Sequence, residues 1–324
     1  MTDVRIQDFA RIGVVTYTAY PALLTGGITM AQVIDEVGAD EYFDSVEVTW
    51  ISDDAARAKA IEAADASSLS VVFDAQPYLL ARKLNLAALD GNARNEAVKV
   101  CRQAIDQAVT WDASAFALLS GRDPGQAQRP AAFEQLARSL AELCDYAGSK
   151  GNMPVLLETY DRQPFGTNQL VGPTVEALEL AGKVRAGHKN FGLMLDLGGL
   201  VLLEESVAQA LDLVKDLLGA VHISNCVMRD AGHPAYGRGR PPLGIPAGEV
   251  GAVQLTDFLK ELFRVGFLGG ECVRLGQISL DVGPLARQNP AEVIGQTKEM
   301  LQTAFQEVQP PQATAQPQAE ENLA

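Results

Sequence analysis

The chain has 324 residues, of which 47% are hydrophobic, so one large α/β domain can bury a sizeable core. Its formal net charge of −15 disfavours nucleic acid and membrane surfaces as partners, because both are anionic. The first residues contain no apolar signal segment, and the four cysteines have no Cys-x-x-Cys spacing. We therefore expect a cytoplasmic protein with reduced cysteines, and the sequence leaves open whether it forms a homo-oligomer.

Short apolar runs alternate with helix-length segments along the chain. Such runs are typical of strands that a parallel sheet buries on both faces. The predicted strands are residues 11–17, 45–50, 70–74, 115–119, 154–158, 191–196, 220–223 and 270–274. The predicted helices are residues 28–37, 52–64, 92–109, 130–148, 173–186, 206–218, 253–265 and 290–308.

Eight strand–helix units of this size fit a closed (β/α)8 TIM barrel better than an open doubly wound sheet. A Rossmann-type sheet would need Gly-x-Gly-x-x-Gly after an early strand, and the sequence has none there. We predict a single α/β barrel domain over residues 1–308. Residues 309–324 are rich in Pro, Gln and Ala and lack an apolar face, so we predict a disordered tail.

Four of the predicted strands carry a titratable residue at or near their ends: Glu158, Asp196, His222 and Glu271. The carboxyl ends of barrel strands converge on one mouth, so we expect these side chains to lie together. Taken singly, such an acid is more often a helix cap or a salt-bridge partner, and such a histidine is an ordinary polar residue. Together, three carboxylates and an imidazole suit one divalent cation, Mn²⁺ first, with Mg²⁺ or Co²⁺ as alternatives.

The four segments Leu-Leu-Glu-Thr, Leu-Asp-Leu-Gly, Val-His-Ile-Ser and Gly-Gly-Glu-Cys resemble the sugar phosphate isomerase/epimerase superfamily, the xylose isomerase-like barrels. The resemblance covers residues 10 to about 300 and implies that the four residues bind one divalent cation. In the epimerase branch the two glutamates, here Glu158 and Glu271, also form the catalytic acid/base pair. The resemblance breaks at Gly199, where these epimerases usually carry a substrate-contacting histidine.

The loop after the seventh predicted strand, residues 229–249, is long and rich in Gly and Pro. Loops of this length in a compact barrel are commonly lids or binding loops. It brings Arg229, His233, Arg238 and Arg240 into an acidic protein, and we predict Arg229 and His233 as substrate-binding residues. The alternative is a solvated loop. Glu47, on the second strand, is predicted to bind a sugar hydroxyl, with a buried salt bridge as the alternative.

These residues predict a divalent-metal-dependent isomerase or epimerase of a sugar or small keto-polyol. A metal that chelates a carbonyl and a neighbouring hydroxyl acidifies the adjacent carbon, and two carboxylates then move the proton through a metal-stabilised enediolate. One alternative is a metal-dependent lyase or dehydratase that expels a leaving group from the same enolate. Another is a non-catalytic sugar-binding barrel. A trinuclear nuclease site is disfavoured because the chain has only 3 histidines.

Overall fold

The computed structural model describes residues 4–162, 165–269 and 276–308. Eight parallel strands pair each with the next, and the first pairs with the last, so the sheet closes. The prediction of a (β/α)8 TIM barrel is confirmed; the predicted tail lies outside the described residues. The strands are β1 Ala10–Val15, β2 Ser45–Thr49, β3 Ser70–Asp74, β4 Ala115–Leu118, β5 Val155–Glu158, β6 Phe191–Asp196, β7 Leu218–Ile223 and β8 Gly276–Leu280.

Helices surround the barrel and connect consecutive strands. None of those in the described residues is long and apolar enough to cross a membrane. Short 3₁₀ turns lie at Ile6–Asp8 and Pro21–Thr25. The α-helices are α1 Thr16–Ala19, α2 Met30–Gly38, α3 Asp54–Ala66, α4 Gln76–Ala81, α5 Gly91–Thr110, α6 Arg129–Ser149, α7 Thr174–Arg185, α8 Leu197–Leu202, α9 Val207–Val214, α10 Ala252–Arg264 and α11 Pro290–Val308.

The predicted position of the eighth strand, residues 270–274, is wrong. The strand that closes the barrel is β8, and residues 270–275 lie outside the described residues. The strand was missed because apolar and polar residues alternate along β8. Ile278 and Leu280 pack in the main core, whereas Gln277 and Ser279 point into the barrel, where the Gln277 amide donates a hydrogen bond to Ser279. The strand therefore lacks the continuous apolar run of a strand buried between two apolar layers. The residue that follows its end is Asp281 rather than Glu271.

Three short helices that the sequence did not predict begin close behind strands. Helix α1 follows β1 and α8 follows β6 without a loop, and α4 begins two residues after β3. Thr16 and Tyr17, predicted at the end of the first strand, therefore lie in α1. The carboxylate of Asp196 ends β6 and also caps α8, because it accepts a hydrogen bond from the Gly199 backbone N–H at 3.1 Å. The tight connection fixes where this carboxylate points.

The inside of the barrel is divided by polarity. Apolar side chains fill its middle and form an apolar floor, which separates the charged carboxyl end from the rest. Below the floor, at the amino-terminal end, lies a cavity of about 470 Å³ lined in part by Arg11, Lys215 and Gln277. The floor consists of Val72, Ala115, Ala117, Leu156, Met194 and Ala220. The polar interior at the carboxyl end can therefore hold a site built from strand ends.

A side-chain clasp reinforces the seam where β1 meets β8. The amide of Gln277 donates to Ser45 Oγ on β2 at 2.6 Å and to Ser279 Oγ at 2.9 Å. Gly13 on β1 leaves room for it, since a Cβ there would lie 2.7 Å from the amide nitrogen and collide with Ser45. The clasp therefore reaches across β1 and ties β8 to β2.

Candidate active site

Charged side chains crowd the carboxyl end of the barrel, where each ends or lines a strand. All are buried, so their charges must be compensated within the protein. They are Glu47 on β2, Asp74 on β3, Glu158 on β5, Asp196 on β6, His222 on β7 and Asp281 after β8. Five carboxylates around one imidazole make this the strongest concentration of charge inside the described barrel.

Three of the four residues predicted as metal ligands lie together. Glu158, Asp196 and His222 each offer one donor atom, and these atoms lie within 4.8 Å of one another. Glu271 lies outside the described residues, so its predicted roles as ligand and catalytic acid stay predictions. At the end of β8 the structure places Asp281 instead, with its Oδ2 3.7 Å from His222 Nδ1.

The imidazole of His222 is held by Glu47. Its Nε2 lies 3.0 Å from both carboxylate oxygens of Glu47, which corresponds to the salt-bridge alternative for that residue. Burial lowers the pKa of His222, but the charge and hydrogen bond of Glu47, together with the charges of Glu158 and Asp281, outweigh burial and raise the pKa to about 10. Nδ1 points the other way, 3.8 Å from Glu158 Oε1, and has no hydrogen-bond partner in the described part of the chain. A carboxylate behind a histidine in this manner is how metal-ligating histidines are oriented.

These donors fit a divalent cation. The separations of 3.7 and 3.8 Å around His222 Nδ1 are too long for hydrogen bonds but suit ligands that share one ion. Carboxylate oxygens with one imidazole nitrogen form a hard-to-borderline donor set. Glu158, Asp196 and His222 can hold the ion, and Asp281 Oδ2 approaches the same His222 nitrogen from the end of β8.

The loop of residues 229–249 delivers two arginines into this cluster. Arg238 Nη2 donates to Asp196 Oδ2 at 2.8 Å and also to Glu158 Oε1. Its guanidinium carbon lies 3.8 Å from the centroid of the Tyr160 ring. Arg240 forms an ion pair with Asp281 and donates to the Tyr160 hydroxyl at 3.2 Å. The loop therefore covers the mouth with its own cations.

The two arginines act unequally on the carboxylates. Burial raises the pKa of Asp196, but the charges of Arg238, Arg240 and His222 and the hydrogen bond from Ser224 together hold that pKa below its ordinary value. For Glu158, burial dominates and the pKa is raised, although Arg238 opposes it. Glu158 is therefore the easier of the two to protonate, which is the property that a general acid or base needs.

The substrate-binding residues predicted in this loop lie away from the cluster. Arg229 is 86% exposed and pairs with Glu249 at 2.7 Å. His233 Nδ1 accepts from the backbone N–H of Ala235 at 3.1 Å within the loop. Neither contacts the buried carboxylates, and the loop's contribution to the site comes from Arg238 and Arg240.

Glu158 is also held by residues that sequence reasoning missed. Gln76, the first residue of α4, donates through its amide to Glu158 Oε2 and accepts from the Tyr160 hydroxyl at 2.6 Å. One oxygen of Glu158 is thus occupied, and the other faces His222 and Arg238. Because the sequence gives no periodic signal for so short a helix, Gln76 could not be placed beforehand.

Asp74 should make the protein less stable as the pH rises from about 4 to about 8. Burial, with the charge of Glu47, raises its pKa from 3.8 to about 8, while Tyr17 and the Gln76 backbone N–H donate to it. As the pH rises, Asp74 ionises at a lower pH in the unfolded chain than in the folded protein. The stability that its protonated form contributes is therefore complete below pH 3.8 and is lost progressively up to about pH 8.

Asp74→Asn removes this ionisation. Urea unfolding of wild type and variant across the same pH range should show the wild-type free energy of unfolding falling relative to the variant by several kcal/mol as the pH rises. A difference that does not change with pH would contradict the assignment.

Comparison with known proteins places the chain among barrels of one kind. A family model described as xylose isomerase-like TIM barrel matches residues 36–274. A search of curated proteins finds no match. Among solved structures, a D-tagatose 3-epimerase-like protein shares 16% identity, covering 92% of this chain and 99% of its own, with a TM-score of 0.68.

Two further structures are similar. A 3-keto-D-glucoside 4-epimerase from E. coli has 15% identity, coverage of 91% and 99%, and a TM-score of 0.67. D-Psicose 3-epimerase from Clostridium cellulolyticum H10 has 16% identity, coverage of 92% and 98%, and a TM-score of 0.63. At such identities the likeness establishes the fold.

Proposed function

Because this chain belongs to the xylose isomerase-like TIM barrel family, as its sequence resemblance predicts, we propose that it is a divalent-metal-dependent isomerase or epimerase of a sugar or small keto-polyol. The observation that carries the proposal is the buried group of Glu158, Asp196 and His222, whose free Nδ1 faces two carboxylates. A bound ion, Mn²⁺ first among the candidates, would hold the substrate's carbonyl and hydroxyl oxygens and acidify the neighbouring C–H bond. The similarity of the fold to proteins described as sugar epimerases supports the same class of enzyme.

Glu158 is the proton acceptor in this mechanism. Its raised pKa keeps it able to exchange a proton. Oε1 faces the ion site, so Oε2, which the Gln76 amide orients, is the oxygen left to accept the proton. Removal of a proton beside the carbonyl gives an enediolate. Arg240, largely buried beside Asp281, would supply a positive charge that stabilises the negative charge of the enediolate.

Asp281 is the second carboxylate, in the place that the sequence assigned to Glu271. It approaches His222 Nδ1 from β8, whereas Glu158 approaches from β5, three strands away around the barrel. Two carboxylates on different sides of a bound sugar can remove and return a proton on opposite faces, as inversion requires. Return of the proton to the neighbouring carbon would give isomerisation instead.

One observation keeps a lyase or dehydratase as the second candidate. Where related 3-epimerases usually carry a histidine, this chain has Gly199, and a Cβ there would lie 2.8 Å from Arg238 Nη1. An arginine therefore occupies the space of the substrate-contacting side chain. Substrate contacts consequently differ from those of the 3-epimerases, and a leaving group beside the enolate would be expelled by the same residues.

The test is exchange with solvent deuterium. Protein loaded with Mn²⁺ and incubated in D₂O with a panel of ketoses and keto-sugars should return sugar labelled at the carbon beside the carbonyl, with its carbon skeleton intact. Chelator-treated protein serves as the control and should not label it. An unsaturated or aglycone product would indicate the lyase, and the absence of any turnover by metal-loaded protein would refute both enzymatic functions.

A further inference from the structure

A single nitrogen of Arg238 lies where a divalent ion would lie. Nη2 donates to Glu158 Oε1 and to Asp196 Oδ2 together, so it bridges two of the three predicted ligands. An ion that coordinates both of these oxygens needs the same position. We propose that Arg238 is an internal competitor of the divalent ion, and that binding of the ion displaces it from Glu158 and Asp196. This inference rests on the metal site of the proposed function.

The barrel mouth is shaped to receive this guanidinium. Its side chain is only 5% exposed, and the ring of Tyr160 provides a flat face 3.8 Å away. The absence of a side chain at Gly199 leaves room for Nη1. An arginine that turned inward by accident would have neither this stacking partner nor this space. The contact of Arg238 with Glu158 and Asp196 is therefore a specific feature of the site.

The contact is nevertheless incomplete, which makes it reversible. Arg238 Nε and Nη1 are buried and have no hydrogen-bond partner in the described part of the chain. Buried donors without partners make the state in which Arg238 contacts Glu158 and Asp196 less stable, relative to a state in which the guanidinium reaches water. A divalent ion, with twice the charge and shorter bonds to oxygen, is therefore able to take over the two carboxylates.

Displacement of Arg238 involves the loop that carries it. Arg238 lies between Gly237, at φ +73°, and Gly239, whose added Cβ would overlap the backbone of Ala235. Two residues later Arg240 adopts a left-handed φ of +48° while paired with Asp281. The loop is thus fastened to the carboxylates through its arginines. Ion binding and loop opening are linked reciprocally, so release of the loop strengthens ion binding by the same factor.

The test is the affinity for Mn²⁺ at pH 8, measured by calorimetry and by the electron paramagnetic resonance signal of free Mn²⁺. Arg238→Met should bind Mn²⁺ roughly five- to 150-fold more tightly than wild type. Arg229→Met is the matched control, because Arg229 belongs to the same loop but is exposed and pairs with Glu249. Its affinity should equal that of wild type.

Gly199→Ala gives a second variant that keeps the arginine. The new Cβ meets the far end of a flexible side chain, so Arg238 should move rather than the barrel, and Mn²⁺ should again bind more tightly. Adding Mn²⁺ to wild type should also speed amide hydrogen exchange in residues 229–249. Circular dichroism and thermal melting establish that each variant is folded.

Equal or weaker Mn²⁺ binding by both Arg238→Met and Gly199→Ala, or unchanged exchange in the loop, would overturn the competition and leave the proposed enzyme standing. No Mn²⁺ binding by any variant would overturn both. Tighter binding without deuterium exchange into any sugar would uphold the competition and count against the isomerase alone.

Discussion

Glu158→Gln is expected to slow deuterium exchange into the substrate by about 10²- to 10⁴-fold, the usual contribution of a general acid or base. The amide keeps the shape of the side chain but cannot accept the proton from carbon. The rate is measured by mass spectrometry of recovered ketose. The control is Glu134→Gln, which changes a surface carboxylate paired with Lys183. This variant should catalyse deuterium exchange into the substrate at the wild-type rate.

Metal content separates the two roles of Glu158. If the variant loses activity but still carries its ion, the loss belongs to proton transfer; if the ion is lost as well, the residue acts chiefly as a ligand. Wild-type exchange in Glu158→Gln would remove this residue from the mechanism.

Asp281→Asn should produce a loss of similar size, together with a loss of stability. The variant leaves the Arg240 guanidinium buried without its partner, which typically costs about 3–5 kcal/mol. Glu271→Gln is the matched comparison, since the sequence assigns to Glu271 the role that we propose for Asp281. We expect it to retain exchange close to wild type.

A double variant distinguishes chemistry from folding. Arg240→Met combined with Asp281→Asn removes both charges of the buried pair, so it should recover much of the stability without recovering activity. Loss of exchange in Glu271→Gln with full activity in Asp281→Asn would return the catalytic role to the sequence assignment.

The strands that build most of the site are readable from sequence because they are buried on both faces. Continuous apolar runs ending in Glu158 and Asp196 mark β5 and β6 almost to the residue. Strand β8 escapes this rule, because Gln277 and Ser279 interrupt its apolar pattern. Asp74 ends a correctly predicted strand, but an acid there is equally typical of a helix cap, and only burial identifies it as part of the site.

The contribution of the loop could not be predicted from residue type. Arg229 and Arg238 have the same chemistry, and only the path of the loop exposes one and buries the other. That path depends on contacts between segments distant in sequence, such as Arg238 with Tyr160. Glycines on both sides of Arg238 were the available signal, since they permit the tight turn that carries it inward.

Pairing of β1 with β8 determines when the barrel can close. Gln277 and Ser45 are 232 residues apart, so the clasp forms only after nearly all of the barrel has been synthesised. Until then β1 presents an unpaired edge, of the kind that recruits strands from other chains. Closing such a distant contact is slow and favours partly ordered intermediates. Yield from rapid overexpression should therefore depend on how quickly this last strand reaches the first.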